Sequence, residues 1–443
     1  MVKTPLDNWI AGKIGLQSGV LTRDSIESYQ LAQLRKTIAL VKAKSAFYRR
    51  KLDRVKPEEI VGFTEFAQLP FTTAEDIRKN PFAFVCTSQG DIERVVSLQS
   101  SGTTGEPKRI FFTRADQELT IDFFNHGMRN LVGPSYRVLI LMPGEAPGSV
   151  GDLLRIALER MGACPVPFGP VYHAGEAIEA AVQNQINSIV GIPTHVLRMA
   201  RHENGKRLSG QIKSILLSAD HVSDSIKQVI EKQWGCKVFN HYGMTEMGLG
   251  GGVQCEARTG YHMREADLYI EIIDPHTGKN LPEGETGEIV FTTLTREGMP
   301  LIRYRTGDIS RFASAACPCG SALKVMEVVK GRACDRKTLA GMNFSITDLD
   351  EALFLLDGVL DFKCRIETAE GMEYLYLDLL LAQGMSAQSL NVVEQALQSI
   401  PAVREGTARN QLKIVTRIHD NEFPVTNGTV KRGIEGNRYE DRY

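Results

Sequence analysis

The sequence predicts an α/β protein: a large N-terminal domain with mainly parallel sheets and a β subdomain, then a small α+β C-terminal domain. Three observations predict it. From Arg137 onward, short apolar runs alternate with helically spaced segments, the pattern of a parallel sheet covered on both faces. From about Leu268, strand–turn–strand spacing takes over. At 443 residues the chain is too long for one hydrophobic core, so two or three domains are expected.

The elements follow in order. Residues 1–60 read as helices, with Ile26, Tyr29, Leu34, Ile38 and Val41 at helical spacing between Asp24 and Lys42. The basic, aromatic stretch from Ser45 to Lys51 could touch a phosphate, but a solvated helix face is the plainer reading. Thr73 is a cap candidate for the helix after Pro70. Strand-like runs at 95–98 and 110–112 flank a polar loop. Strands are then expected at 137–142, 188–190, 213–217 and 237–239, with an extended piece at 165–168. Helices are expected between them at 153–161, 176–185, 197–203 and 223–233. Leu268 to Ile273 and Gly287 to Thr293 begin a barrel-like β subdomain that runs to about 330. A candidate hinge at 331–335 separates residues 1–330 from 331–443. Beyond it the order is a helix (346–356), strands (362–367 and 374–381), a helix (386–400) and a strand (412–417).

Bulk properties exclude several function classes. A net charge of −1 gives no global attraction to nucleic acid or to an anionic membrane surface. No apolar run approaches the ~20 residues of a membrane helix. The N-terminus has no signal-peptide core. Eight cysteines without a secretion signal point to reduced thiols in the cytoplasm.

The loop Ser100-Ser-Gly-Thr-Thr-Gly-Glu-Pro-Lys108 carries the densest chemistry. Gly102 and Gly105 remove the Cβ atoms that keep an anion from the backbone. The hydroxyls of Ser100, Ser101, Thr103 and Thr104, with freed N–H groups, can ring a phosphate, and Lys108 adds a positive charge. The spacing is not that of a Walker loop, and a solvated hairpin turn is the plainer alternative. Three further stretches belong with it. In His241-Tyr-Gly-Met-Thr-Glu246, a ring can stack on a purine and a carboxylate can hold Mg²⁺. In Tyr304-Arg-Thr-Gly-Asp308, a carboxylate on a turn can accept from both hydroxyls of a ribose. The third is Gly331-Arg332. Taken singly, Tyr242 also suits a core and Asp308 a helix cap.

In this order and spacing the four stretches resemble the AMP-forming acyl-adenylating superfamily, and over nearly the whole length the phenylacetate–CoA ligase family. Tyr48-Arg-Arg-Lys51, Pro300 to Asp308 and Cys317-Pro-Cys-Gly320 carry the narrower likeness. The resemblance implies that residues 100–108 hold the β- and γ-phosphates of ATP and that Ser218, Ala219 and Asp220 line the adenine pocket. It implies that Tyr242 stacks on adenine beside His241, Thr245 meets the α-phosphate and Glu246 holds Mg²⁺. Asp308 would bind the ribose and Arg332 would contact nucleotide near the hinge. The implied reaction adenylates a carboxylic acid and passes the acyl group to coenzyme A, or to a carrier-protein thiol. The small domain would be mobile, rotating between the two steps. A homodimer is carried as an expectation.

The sequence departs from the family in the small domain. The hinge aspartate position is Cys334, with Asp335 next. In Asn427-Gly-Thr-Val-Lys-Arg432, Thr429 stands where the family has its adenylating lysine. Losing such a charge costs about 10²–10³ in rate. Either Lys431 reaches in as the catalytic cation, or adenylation is slow but sufficient, or the protein binds nucleotide or preformed adenylate without activating acids itself.

Cys317 and Cys319, with Cys255 and His262 upstream, could close a tetrahedral structural zinc site; a reduced thiol pair on a loop is the alternative. Cys86, Cys164, Cys236 and Cys364 read as buried fillers. The acid is expected among Gly144, Gly191, Ala219 and His241, whose small neighbours leave room for a ring or a short chain. An aryl acid is the family default.

Overall fold

The computed structural model describes residues 2–16, 20–98, 107–332, 337–382, 388–419, 423 and 432–436. They form two compact units. The first comprises Met1–Tyr136, Pro143–Pro167 and Phe239–Val329; the second comprises Arg137–Met142, Phe168–Val238 and Lys330–Tyr443. The C-terminal segment is thus grouped with part of the alternating α/β region. Among the described residues, no helix is long and apolar enough to cross a membrane.

In the first unit the helix Arg23–Lys44 starts at a Thr22 capping box and buries Ile26, Leu34, Ile38 and Val41. Its buried Thr37 donates to the Leu294 carbonyl at 3.1 Å. The next helix, Ala46–Lys51, is not a merely solvated face, because Tyr48 points inward and is buried. The Tyr48 hydroxyl lies 2.9 Å from Thr72 Oγ1 and accepts the Ile302 N–H at 2.9 Å, while Thr72 donates to the Ile302 carbonyl. The Tyr-Arg-Arg-Lys stretch therefore anchors the N-terminal helices beneath the Pro300–Asp308 segment.

The strands Ile92–Leu98 and Lys108–Thr113 form an antiparallel hairpin, in which Leu98 pairs with Lys108. The helix Arg114–Met128 follows, capped by Thr113 and Asp116. The β subdomain is an open three-stranded antiparallel sheet rather than a barrel: Leu268–Ile273, Gly287–Thr293 and Tyr304–Ser310 in that order. A second antiparallel set pairs Tyr242 with Gly252, Val253 with His262, and His262 with Val325.

In the second unit Arg137–Leu141, Ser188–Gly191 and Ser214–Leu217 lie parallel, as the buried apolar runs predict. The helix Pro193–Arg201 begins earlier than its apolar spacing suggests, because Pro193 occupies the first helical position, where the missing N–H costs nothing. The C-terminal segment builds a four-stranded sheet from Val359–Ala369, Met372–Leu381, Leu412–His419 and Ile434–Gly436. The helix expected at 386–400 is two, Gln388–Leu397 and Pro401–Ala408, divided at Pro401. Arg201 ties this segment down by donating to the Phe354 carbonyl at 2.6 Å and to that of Val359. Cys86, Cys236 and Cys364 are buried, but Cys164 is exposed. It opens the short strand Cys164–Pro167, whose first and last residues face solvent.

Candidate active site

The site grows from the ends of two strands in the first unit. Lys108 is the first residue of its strand. Tyr242 is the last residue of Lys237–Tyr242, a strand longer than the sequence suggests, and places His241 and Tyr242 on ordered backbone. Gly243 makes the next step possible: a Cβ there would lie 2.0 Å from the Leu249 carbonyl oxygen. The chain turns through the 3₁₀ segment Thr245–Met247 and leaves through Gly248 at φ +81°, where glycine is unstrained.

This turn presents Glu246, which is 4% exposed. The Lys108 ammonium is bonded to Glu246 Oε1. The Tyr304 hydroxyl lies 3.0 Å from the same oxygen and 3.3 Å from Lys108 Nζ. Burial opposes ionisation of Glu246, but the Lys108 charge and hydrogen bond, with the turn backbone and Tyr304, outweigh it and hold the carboxyl below its usual range. Thr245 is half-buried at the start of the turn.

A pair of arginines supports the turn. Arg296 donates to the Glu246 carbonyl at 2.6 Å, reaches the Phe111 carbonyl at 3.5 Å, and stacks 4.4 Å from the Phe112 ring centroid. Arg264 donates to the Met247 carbonyl and lies over Phe123. Burial pulls the Arg296 pKa down to about 10, which leaves it charged at neutral pH. Asp116, the helix cap, also accepts the backbone N–H groups of Glu297 and Gly298 and so pins the Arg296 loop to the hairpin. Sequence reasoning missed Arg264, Arg296 and the part played by Tyr304. Nothing in their immediate sequence sets them apart, because their partners are brought near only by the fold.

Asp308 lies within the strand Tyr304–Ser310 rather than on the expected turn, at an irregularity in its pairing with Gly287–Thr293 that its own motif shapes. Glu288 accepts from Arg305 Nε at 2.9 Å and from the Gly307 N–H at 3.0 Å. Thr306 donates to the Ile289 carbonyl and accepts the Asp308 N–H. Gly307 sits at φ +75°. The result aims Asp308 at Tyr242, whose hydroxyl donates to Asp308 Oδ2 at 2.9 Å. The structure therefore brings together Lys108 with Glu246, and Tyr242 with Asp308. His241 packs against Phe123 and Phe124, and burial pushes its pKa down to about 4, so it is neutral. Gly144 approaches Gly151 and Asp152 at the start of the next helix.

In the second unit, Ser218 follows a parallel strand and donates its N–H to the Gly191 carbonyl at 3.1 Å. Gly191 is a packing requirement, since a Cβ would meet Val196 at 2.9 Å and Leu141 at 3.2 Å. Ala219 has φ +75°, left-handed backbone that costs a non-glycine residue of order 1–3 kcal/mol and clusters at functional sites. Asp220 accepts from Arg432 Nε at 3.2 Å, and Arg432 makes two further bonds to Asp350, at 2.8 and 2.9 Å. Burial opposes the Arg432 charge, but the surrounding aspartates outweigh it and raise its pKa. Burial pushes Asp350 up to about 7. Arg332 is half-buried. Residues Ser100, Ser101, Gly102, Thr103, Thr104 and Gly105, together with Cys334, Asp335, Thr429 and Lys431, lie outside the described residues.

Cys255, His262, Cys317 and Cys319 converge in the first unit. All are buried, and their ligand atoms lie within 4.8 Å of one another. Cys255 and Cys317 sulfurs are 3.6 Å apart, and Cys319 Sγ is 3.4 Å from His262 Nε2. Burial lowers the His262 pKa to about 4, so the ring is neutral, as a ligand must be.

An α/β fold with a lysine-bound buried carboxylate at the end of a glycine- and hydroxyl-rich loop, and an aspartate–tyrosine pair beside it, has the parts of a nucleotide-using enzyme. The profile of the AMP-binding enzyme family matches residues 28–294. The phenylacetate–coenzyme A ligase of Thermus thermophilus is 30% identical over 366 residues, covering 79% of this chain and 80% of that protein. The enzyme of that name from Escherichia coli is 29% identical, covering 74% and 76%. The chain belongs to the AMP-binding enzymes and, within them, to the phenylacetate–coenzyme A ligase family. The fold is shared with a 2-hydroxyisobutyryl-CoA ligase holding an acyl-AMP, at TM-score 0.80 and 21% identity over 94% of this chain and 91% of that one. It is also shared with an anthranilate CoA ligase holding anthranoyl-AMP, at TM-score 0.55 and 15% identity over 78% and 67%.

Proposed function

We propose that this enzyme joins an aryl or short acyl carboxylate to coenzyme A, using ATP and releasing AMP and pyrophosphate. The carboxylate oxygen attacks the α-phosphorus of ATP and the P–O bond to pyrophosphate breaks. The coenzyme A sulfur then attacks the acyl carbonyl, the bond to AMP breaks, and the thiol proton leaves to solvent or a base. The observation that carries this reading is the pairing of Lys108 with Glu246 beside Tyr242 and Asp308.

In this reading Asp308 accepts from the ribose hydroxyls, and Tyr242 supplies a face for the base while holding Asp308 in place. The hydroxyl of Thr245 donates to the α-phosphate. A buried, ionised Glu246 suits Mg²⁺, which when bound neutralises charge on the phosphates. Ser218, Ala219, Asp220 and Arg332 keep the nucleotide roles that the resemblance implies, and Gly144, Gly191 and the neutral His241 remain the candidates for the acid's surroundings. Residues 331–335 serve as the hinge. The working compartment is the cytoplasm.

The Cys255, His262, Cys317 and Cys319 set fits zinc: four soft or borderline donors, buried, at mutually compatible distances. Zinc there would be structural, since all four positions are filled by protein. About one zinc per chain by elemental analysis is expected, and folded, metal-free protein purified without chelator refutes it.

The functional test is carboxylate-dependent pyrophosphate exchange over a panel of aryl and short acyl acids, run beside Thr429→Lys and Lys431→Ala. Exchange by the natural protein names the acid, and its loss in Lys431→Ala assigns Lys431 the catalytic charge. Exchange seen only in Thr429→Lys refutes adenylation by the natural chain.

A further inference from the structure

The contact between Lys108 and Glu246 has a consequence for the order in which ligands enter. Glu246 Oε1 already holds two donors, the Lys108 ammonium and the Tyr304 hydroxyl 3.0 Å away. Both side chains are withdrawn from water: that of Lys108 is 12% exposed and that of Glu246 is 5%. A divalent ion gains less from a carboxylate whose charge is already neutralised and whose Oε1 is taken by two donors; to bind at full strength it must first displace the ammonium. Lys108 is built to be displaced. It stands at the strand's first position, on a flexible four-carbon stem, and the ammonium is a mobile point charge. Glu246 is fixed instead, because Arg296 grips its carbonyl.

We propose that Lys108 is an internal cation standing in the metal's place on Glu246, so that free enzyme excludes Mg²⁺ and the ion enters only with nucleotide. The arriving phosphates draw Lys108 away, and Glu246 is uncovered at the same moment. Tyr304, bonded to Glu246 and 3.3 Å from Lys108, is the positioning residue that keeps the carboxylate oriented through the exchange. The inference rests on the reading that Glu246 is the metal carboxylate.

The test is Mn²⁺ binding to nucleotide-free protein, read by the loss of the free-ion electron paramagnetic resonance signal. Wild type is compared with Lys108→Met, Lys108→Gln and the double variant Lys108→Met/Glu246→Gln, each checked for a cooperative thermal transition. Removing the competing charge is expected to raise Mn²⁺ affinity about tenfold or more in both single variants, and the double variant is expected to lose the gain. Single variants that bind Mn²⁺ no better than wild type overturn the displacement proposal. A gain that persists in the double variant places the ion elsewhere and overturns the reading of Glu246 itself.

Discussion

Replacing Arg296 by methionine separates a residue that positions chemistry from one that merely stabilises. Methionine keeps much of the side-chain volume and removes the charge. What is lost is a charged hydrogen bond to the Glu246 carbonyl at 2.6 Å, worth about 1.5–3 kcal/mol, and a desolvated cation–π contact with Phe112, worth about 2 kcal/mol. What is recovered is the cost of burying a guanidinium. The fall of its pKa from 12.5 to about 10 puts that cost at about 3 kcal/mol. These terms nearly cancel, so the urea midpoint of Arg296→Met is expected to move by less than about 2 kcal/mol in stability. The Glu246 turn nevertheless loses its grip. The carbonyl bond translates into about a 10–100-fold rise in the Mg²⁺–ATP concentration needed for half-maximal pyrophosphate exchange. Arg296→Lys keeps the charge but not the planar fork that reaches a carbonyl while stacking, so it recovers only part. An unchanged Mg²⁺–ATP dependence in Arg296→Met, at any stability, refutes the reasoning.

Other outcomes follow from the same geometry. Tyr242→Phe removes the hydrogen bond from the Tyr242 hydroxyl to Asp308 and is expected to lower stability without nucleotide by about 1.5–3 kcal/mol, measured by urea unfolding. Gly243→Ala drives a Cβ into the Leu249 carbonyl and is expected to cost about 1–3 kcal/mol or more and to abolish exchange; a wild-type melting temperature contradicts it. Burial holds His195 and His241 near pKa 4 against an ordinary 6.5. Below pH 6.5 the unfolded chain therefore binds more protons than the folded one. Stability falls as pH drops from 6.5 towards 4, by up to about 1.4 kcal/mol per pH unit for each histidine. A flatter slope in His195→Asn checks the assignment.

The sequence conveys most elements because their burial follows a simple period. The parallel strands at Ser188–Gly191 and Ser214–Leu217 are buried throughout and apolar after their first serines, and the helix Asp224–Trp234 is amphipathic. The helix Arg114–Met128 is less visible because its buried face includes Asp116, Thr120 and Asn125, which serve caps and carbonyls rather than an apolar stripe. In the site, residues that sit together in a short motif are legible: Tyr242 with Glu246, and Tyr304 with Asp308. Residues that meet only through the fold are not. Arg296 lies 50 positions from the carbonyl it holds, and Lys108 lies 138 from its carboxylate. The cysteine and histidine set falls between these cases. Its members are legible as two local pairs, and the pairing of His262 with Val325 brings those pairs together.

The strand irregularity before Asp308 has a consequence for how this sequence drifts. Arg305, Thr306 and Gly307 spend their polar groups on Glu288, Pro275 and Ile289 rather than on the space in front of Asp308. Most of the Arg-Thr-Gly-Asp signature is thus written by the needs of its own strand, and only its last letter is left for the chemistry. Arg305 and Glu288, paired across neighbouring strands, are expected to behave as a single inherited character. A lineage that loses one is freed to lose the other, and the two positions should change together or not at all.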